Sequence, residues 1–233
     1  MAYGKSQGWL WAAVCVALVS LGCPRAENPD EKPGKPAGTS VTSKKKSREP
    51  GREEPAPTAK PPKKVEPPPP PTIPKVTMAD TDLAKCRVRV GDAMPDAELP
   101  DLSGKKLALR SLYGKKLTVV VFWTGTSIYA LQELQDLQTD VAKPYADKGV
   151  RVVGVHEGED AKAARESLET AEATFPSLLD PGGAYFAKVG TERLPRTYLL
   201  DATGKILWFD IEYSRSTRRD LQQGIKVALG ELK

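Results

Sequence analysis

The stretch that decides the fold is Val119-Val-Val-Phe-Trp-Thr-Gly-Thr-Ser-Ile-Tyr-Ala-Leu-Gln-Glu-Leu134. An apolar run begins at Leu117, continues to Trp123 and breaks at Thr124-Gly125-Thr126. Beyond the break, Ile128, Leu131, Leu134, Leu137 and Val141 recur at three- and four-residue spacing, the period of a helix with one apolar face. The stretch predicts a strand, a tight turn and a helix from Ser127 to about residue 143. Thr126 or Ser127 caps that helix and Pro144 stops it. The strand is apolar on both faces, so it belongs inside a sheet. The turn sets the side chain that follows it at a helix N-terminus, where the helix dipole and free N–H groups favour negative charge.

Toward the C-terminus, residues 150–156 read as a second buried strand and residues 160–171 as a polar, alanine-containing helix. A short extended piece, residues 175–180, leads into the turn Pro181-Gly182-Gly183 and a short helix over residues 184–189. Residues 194–201 and 205–211 flank Asp201-Ala-Thr-Gly204 as a β-hairpin, and residues 216–232 form a closing helix with Leu221, Ile225 and Leu229 on one side. Toward the N-terminus, Val88 and Val90 alternate with polar residues as in a half-buried strand. Asp101-Leu-Ser-Gly104 is a turn between two short extended pieces. The order is an α/β domain with a central mixed β-sheet flanked by helices, over residues 85–233.

The rest of the chain differs in kind. Of 21 prolines, 15 fall within residues 24–74, and no aromatic residue occurs in residues 24–80. Such a stretch cannot bury enough apolar surface to offset its ordering entropy, so residues 23–84 are read as a disordered Pro/Lys-rich linker. Most of the net charge of +5 sits there, since residues 24–80 hold twelve Lys and Arg against eight Asp and Glu. Lys44-Lys45-Lys46 and Lys63-Lys64 read as a solvated tail, or else as loose attraction to an anionic surface.

Ahead of the linker, Lys5 precedes an apolar run, residues 9–21, which is short for a membrane span and typical of a signal-peptide core. Residues 1–22 are therefore the expected signal. The run ends in Ser20-Leu21-Gly22-Cys23, which resembles a bacterial lipobox and implies lipidation of Cys23, with membrane lipid as the partner. An ordinary cleaved signal and an uncleaved anchor are the alternatives. All three put the rest of the chain outside the cytoplasm, in the cell envelope, and so argue against nucleic acid as a partner. The three cysteines, Cys15, Cys23 and Cys86, then leave no pair for an internal disulfide, and the domain depends on its core.

Several stretches resemble the extracytoplasmic thioredoxin-like proteins of the TlpA/ResA type and, more distantly, the AhpC/TSA peroxiredoxins. Val90-Gly-Asp-Ala-Met-Pro-Asp-Ala-Glu-Leu99 looks like the family's opening motif, and Leu102-Ser-Gly-Lys-Lys-Leu-Ala-Leu109 like the next one. Phe122-Trp123 looks like the pair before the active turn. Phe175-Pro176 with Leu179-Asp180, and Leu194-Pro-Arg-Thr-Tyr-Leu-Leu-Asp-Ala-Thr-Gly-Lys-Ile206, complete the likeness. The resemblance implies a thioredoxin-like (redoxin) fold, a cis-proline at Pro195 and a functional acid at Glu133, whose raised pKa would tune the cysteine pair. A peroxiredoxin would carry Arg where Pro195 stands, and Arg196 comes one residue later, which favours the TlpA/ResA side.

The chain departs from the family at the chemistry. Ser127 and Ala130 stand where the resemblance puts the two cysteines of the Cys-x-x-Cys pair, and a serine hydroxyl cannot form a disulfide. The implied reading is a membrane-tethered, redox-inactive binding module that takes an envelope protein or peptide in the groove near Ser127, Tyr129 and Pro195. The alternative is an active thiol peroxidase or thiol-disulfide oxidoreductase working through Cys86. A third reading makes the domain a structural spacer. By residue type alone, Cys86 reads as a half-buried structural thiol, His156 as a satisfied loop residue and Glu133 as a solvated or capped carboxylate. No cofactor or metal site is expected.

Overall fold

The computed structural model describes residues 69–158 and 160–232. The expected signal segment, Cys23 and the linker as far as residue 68 lie outside the described residues. In chain order the elements are α1 (Asp80–Leu83), β1 (Glu98–Pro100), β2 (Lys106–Ala108), β3 (Leu117–Trp123), α2 (Ile128–Leu137), β4 (Val150–Glu157), α3 (Ala161–Thr170), β5 (Ser177–Asp180), α4 (Phe186–Val189), β6 (Arg196–Asp201), β7 (Ile206–Ile211) and α5 (Arg215–Ala228).

Five strands form one sheet in the order β5-β4-β3-β6-β7. β3 runs parallel to β4, and β4 parallel to β5, through the crossover helices α2 and α3. β6 and β7 are antiparallel and close the other side. Every residue of β3 is buried, so the apolar run at its positions is the pattern of a strand covered on both faces. Leu117, Val119, Val121 and Trp123 point into one core with α2, α3 and α5. Val120 and Phe122 point into the other, with Val153, Val155, Tyr198 and the short α4. This is the mixed-sheet thioredoxin-like arrangement.

The structure differs from the sequence reading in four places. Val88 and Val90 form no strand: Arg87 N–H bonds to Val189 O, Val88 is buried and Val90 exposed, and Gly91 turns the chain at φ +98°. α2 ends at Leu137 and gives way to a wider π-type turn over Gln138–Ala142, where the Gln138 side chain turns inward to accept from Thr174 N–H. The buried face of α2 is rotated as well. Ala130, Glu133, Leu134 and Leu137 face the core, while Ile128 stays 76% exposed.

The fourth difference is the domain boundary. Packing does not begin at residue 85, because Ile73, Val76 and Met78 already lie on the cores and α1 follows them. Thr72 O accepts from Gln223 Nε2 on α5 at 3.1 Å, and Ile73 and Pro74 lie against Gly224. Val76 touches both cores, so this strap passes from one face of the sheet to the other beside the edge strand β7. A sheet edge left bare invites pairing with other chains, and such cover blunts it.

Each half-buried apolar side chain of the strap is worth on the order of 1 kcal/mol. A chain starting at residue 85 is therefore expected to be less stable than one starting at residue 69, by about 2–3 kcal/mol. Urea titrations of the two would read this, and equal midpoints would contradict it.

Candidate functional site

The turn after β3 sits at the end of the sheet where three chain segments meet. Phe122 pairs with Arg196 across the β3–β6 ladder, and Trp123 pairs with His156 across the β3–β4 ladder. Pro195, one residue before β6, therefore lies at the same end as Thr124–Ser127. The Leu194–Pro195 peptide is cis. Ser127 is the N-cap of α2: its Oγ accepts from Ala130 N–H at 3.3 Å. Ala130 is buried beneath, while Ile128 and Tyr129, the latter 65% exposed, project from the first turn. The turn therefore presents a capping hydroxyl and two apolar side chains.

Glu133 lies one helical turn further on and is only 2% exposed. The solvated-carboxylate reading is thereby overturned, because the rotation of α2 carries this position into the core. Thr197 Oγ1 on β6 donates to Glu133 Oε1 at 2.5 Å, while Oε2 has no partner. Burial pushes the Glu133 pKa up to about 8, with Asp210 and Asp136 adding to the rise and the Thr197 bond opposing it. Around it, Asp210 accepts from Thr217 Oγ1 at 2.8 Å, and burial raises its pKa too. Asp136 accepts from the Tyr213 hydroxyl and pairs with Arg218 Nη1 at 3.0 Å. Arg218 Nε also reaches Asp140 at 2.6 Å.

His156 is not a satisfied loop residue. It is the penultimate residue of β4, 7% exposed, with its ring 4.6 Å from that of Trp123 and its Nδ1 unpartnered. Burial lowers its pKa, with Asp160 pulling the other way. It lines an open cavity beside the Thr124–Thr126 turn.

Cys86 is more deeply set than a half-buried thiol, at 4% exposure, and it bridges to Gly190. Its Sγ accepts from Arg196 Nη1 at 3.3 Å. Arg196 is fully buried, and its guanidinium is satisfied by uncharged partners. Nε donates to Glu192 O and Arg193 O at 2.9 and 3.1 Å, Nη2 to Lys85 O at 3.2 Å, and the Phe186 ring lies 5.4 Å away. A Cβ on Gly190 would stand 2.6 Å from Arg196 Nη1, so that residue must be glycine for the guanidinium to fit. Sequence reasoning gave Arg196 no role. The signal available was an arginine next to a proline at the start of a strand that reads Arg-Thr-Tyr-Leu-Leu-Asp, buried through Leu200.

Cys86 is the one cysteine among the described residues, and it belongs to this clasp rather than to the turn. Ser127, Ala130, Glu133 and Pro195 are brought to one end of the sheet, and Cys86 is held in the opposite core from Glu133.

A parallel β-α-β unit closed by an antiparallel hairpin, with a helix N-terminus after the central strand and a cis-proline at the same sheet end, defines a thioredoxin-like protein. The Redoxin family profile matches residues 89–225, more than half of the chain, and the chain belongs to that family. The thiol-disulfide oxidoreductase ResA of Bacillus thuringiensis subsp. konkukian is 26% identical over 121 residues, covering 52% of this chain and 69% of that protein. The thioredoxin-like protein YneN of Bacillus subtilis is 32% identical over 139 residues, covering 58% of this chain and 78% of YneN. In fold, the chain is similar to the thioredoxin domain of a thiol-disulfide oxidoreductase from Bacteroides vulgatus, with a TM-score of 0.52 at 19% identity, over 61% of this chain and 99% of that one.

The Glu133 environment makes a pH prediction. A carboxyl whose pKa rises from 4.5 to about 8 on folding binds its proton more tightly in the folded chain. Its contribution to stability is complete below pH 4.5, falls as the pH rises and is lost through about pH 8. The slope approaches about 1.4 kcal/mol per pH unit within that window. Glu133→Gln is expected to flatten this dependence and to be the more stable form at pH 9. Denaturant midpoints measured across the window check it, and parallel curves for the two proteins would refute it.

Proposed function

We propose that this redoxin-family domain is a binding module of the cell envelope that holds an extended peptide without exchanging disulfides. The observation that carries the reading is the occupancy of the turn. Thiol-disulfide exchange needs a thiolate to attack and another to resolve. Here Ser127 Oγ is engaged in capping α2, Ala130 is a buried methyl group, and the chain's one described thiol is enclosed against Arg196. What the turn keeps is recognition surface: exposed Ile128 and Tyr129 beside the loop of Pro195. An apolar, aromatic-bearing surface suits an extended chain.

In this reading, lipid on Cys23 tethers the chain to a membrane and the proline-rich segment sets the reach. Among the described residues no helix is long and apolar enough to cross a membrane. The tether thus rests on the N-terminal sequence, and Cys23→Ser is expected to move the protein from the membrane fraction to the soluble fraction of its host.

The full-length chain is expected to show no turnover above buffer when dithiothreitol and a protein disulfide, or a hydroperoxide, are supplied. Cys86→Ser should change nothing in that assay. Turnover that disappears with Cys86→Ser would instead establish the alternative of an active redoxin working through this thiol. Ser127→Cys combined with Ala130→Cys is expected to bring disulfide reduction back, since the turn, Pro195 and Glu133 are in place. Binding is read separately by fluorescence anisotropy with labelled unstructured peptides. Tyr129→Ala should weaken it by about tenfold, the scale of a lost aromatic anchor. Peptides that bind equally well to this variant would refute the groove.

A further inference from the structure

The sheet end opposite the turn carries a different chemistry. β3 and β4 start level there, Leu117 beside Val150, and β6 ends there at Asp201. The 7 residues of β3 separate this end from the turn, about 20 Å at the rise of a strand. The loops that lead into β3 and β4 border an open cleft of about 500 Å³. Lys115, Lys116, Lys148 and Arg151 line it, against a single carboxylate, Asp147. Arg151 also lines the neighbouring cleft, together with Lys143. On the other side Lys205 follows Gly204, against which the Tyr113 ring of the cleft is packed.

The backbone beneath these cations is fixed. Gly149 O accepts from Lys116 N–H at 2.9 Å and from Leu117 N–H at 3.3 Å, which ties the two loops together. Gly114 N–H donates to Thr118 Oγ1 at 3.0 Å, and a Cβ on Gly114 would run into Leu117 O and Gly149 O. Among the described residues, the ion pair at the cleft is that of Lys148 with Glu231, at 2.7 Å. Lys115, Lys116, Lys143, Arg151 and Lys205 are exposed and have no acidic partner among those residues. The acids nearby are engaged or marginal. Asp201 Oδ1 accepts from Thr203 N–H and Lys205 N–H, while Glu169 and Glu172 stand off to one side, at and just past the end of α3. A row of unpaired like charges repels itself and is relieved by a negative partner. A small anion is best held by donors that converge on one point, whereas this row runs from Lys143 past Arg151 and Lys116 to Lys205. It matches a broad negative surface.

We propose that this end of the domain docks on an anionic phospholipid surface. The proposal goes beyond the peptide-binding reading and does not depend on what the turn holds. Each Lys or Arg close to such a surface strengthens attachment by about fivefold, and the attraction fades within a Debye length, about 10 Å at 0.1 M salt. The turn, about 20 Å further along the sheet, stands clear of the headgroups and faces solution. A tether through Cys23 keeps the surface within reach, and the basic end decides which way the domain faces it.

Amine acylation read by mass spectrometry reports each lysine separately, so in the full-length chain this end is distinguished from the lysines of the linker. The chain would be acylated alone, with vesicles of phosphatidylcholine, and with vesicles of phosphatidylcholine and phosphatidylglycerol in equal parts. The anionic vesicles are expected to slow the acylation of Lys115 and Lys116, and the phosphatidylcholine vesicles to leave it unchanged. Lys162, in the first turn of α3 at the opposite end, should react equally throughout. Salt at about 1 M, where the screening length is about 3 Å, should remove the protection. Arg151→Gln should raise the amount of anionic lipid that half-protects Lys116 by about fivefold. No protection, equal protection by both kinds of vesicle, equal protection of Lys162, or no effect of Arg151→Gln would overturn the proposal. Soluble glycerol phosphate is the last arm. If it protects both lysines as well as the anionic vesicles do, the cleft is a small-anion site and the surface reading falls.

Discussion

Everything at the candidate site follows from the burial of β3 on both faces. A strand covered on two sides cannot slip by a residue without exchanging its two cores, so its register against β4 and β6 is fixed. That register carries three separate stretches of sequence to one end of the sheet. Trp123 brings His156 level with the turn, and Phe122 brings Arg196, hence the Leu194–Pro195 peptide, level with it from the other side. α2 is then launched from a point held by two ladders, with Ser127 as its cap. The same two ladders thus fix where the first turn of α2 stands relative to Pro195.

The second constraint is the buried Arg196. Enclosing a guanidinium is costly unless its donors are satisfied, and here carbonyl oxygens and a thiol meet them. Three of those carbonyls, of Lys85, Glu192 and Arg193, come from segments that otherwise have little structure of their own. The charge acts as an organiser, drawing the segment before the first strand and the loop before Pro195 around one head group. Outside it, exposed ion pairs of Arg193 with Asp82 and Glu212, and of Lys85 with Glu192, follow the same path. Such surface pairs contribute little, and the buried hydrogen bonds define the conformation.

The strand–turn–helix, the mixed sheet and the hairpin were legible because each is written in local periodicity. An apolar run, a 3.6-residue stripe and a glycine turn need no knowledge of the rest of the chain. The failures have one cause, which is that a residue's environment is set by distant segments. The heptad-like stripe of α2 named Ile128 as core, yet the helix docks rotated, with Ala130 and Glu133 inward, because Thr197 and Asp210 on the hairpin form the surface it meets. Val88-Arg-Val90 alternates like a strand, but the backbone bonds to β7 begin only at Gly91 and Asp92, which exchange them with Ile206. His156 and Cys86 read as ordinary residues by type. Their enclosure comes from Trp123 in one case and from Arg196 and Gly190 in the other. For the site, the turn and Pro195 were readable from the resemblance, whereas the cavity beside His156 needed α3 to be placed against the turn.

The strap along β7 also determines how the domain meets a mechanical pull. Tension arriving along the chain from the N-terminal side reaches the folded part first at residues 72–78. Those residues are held by a few side chains, the bond from Gln223 to Thr72 and the weak one from Cys86 Sγ to Met78, and not by a ladder of hydrogen bonds. Such an attachment peels, giving way one contact at a time at low force. The five-stranded sheet, whose bonds would have to shear together, stays shielded until the strap is gone. The domain thus carries a short sacrificial length of chain, so that modest stretching lengthens the connection before the sheet that holds the turn is loaded.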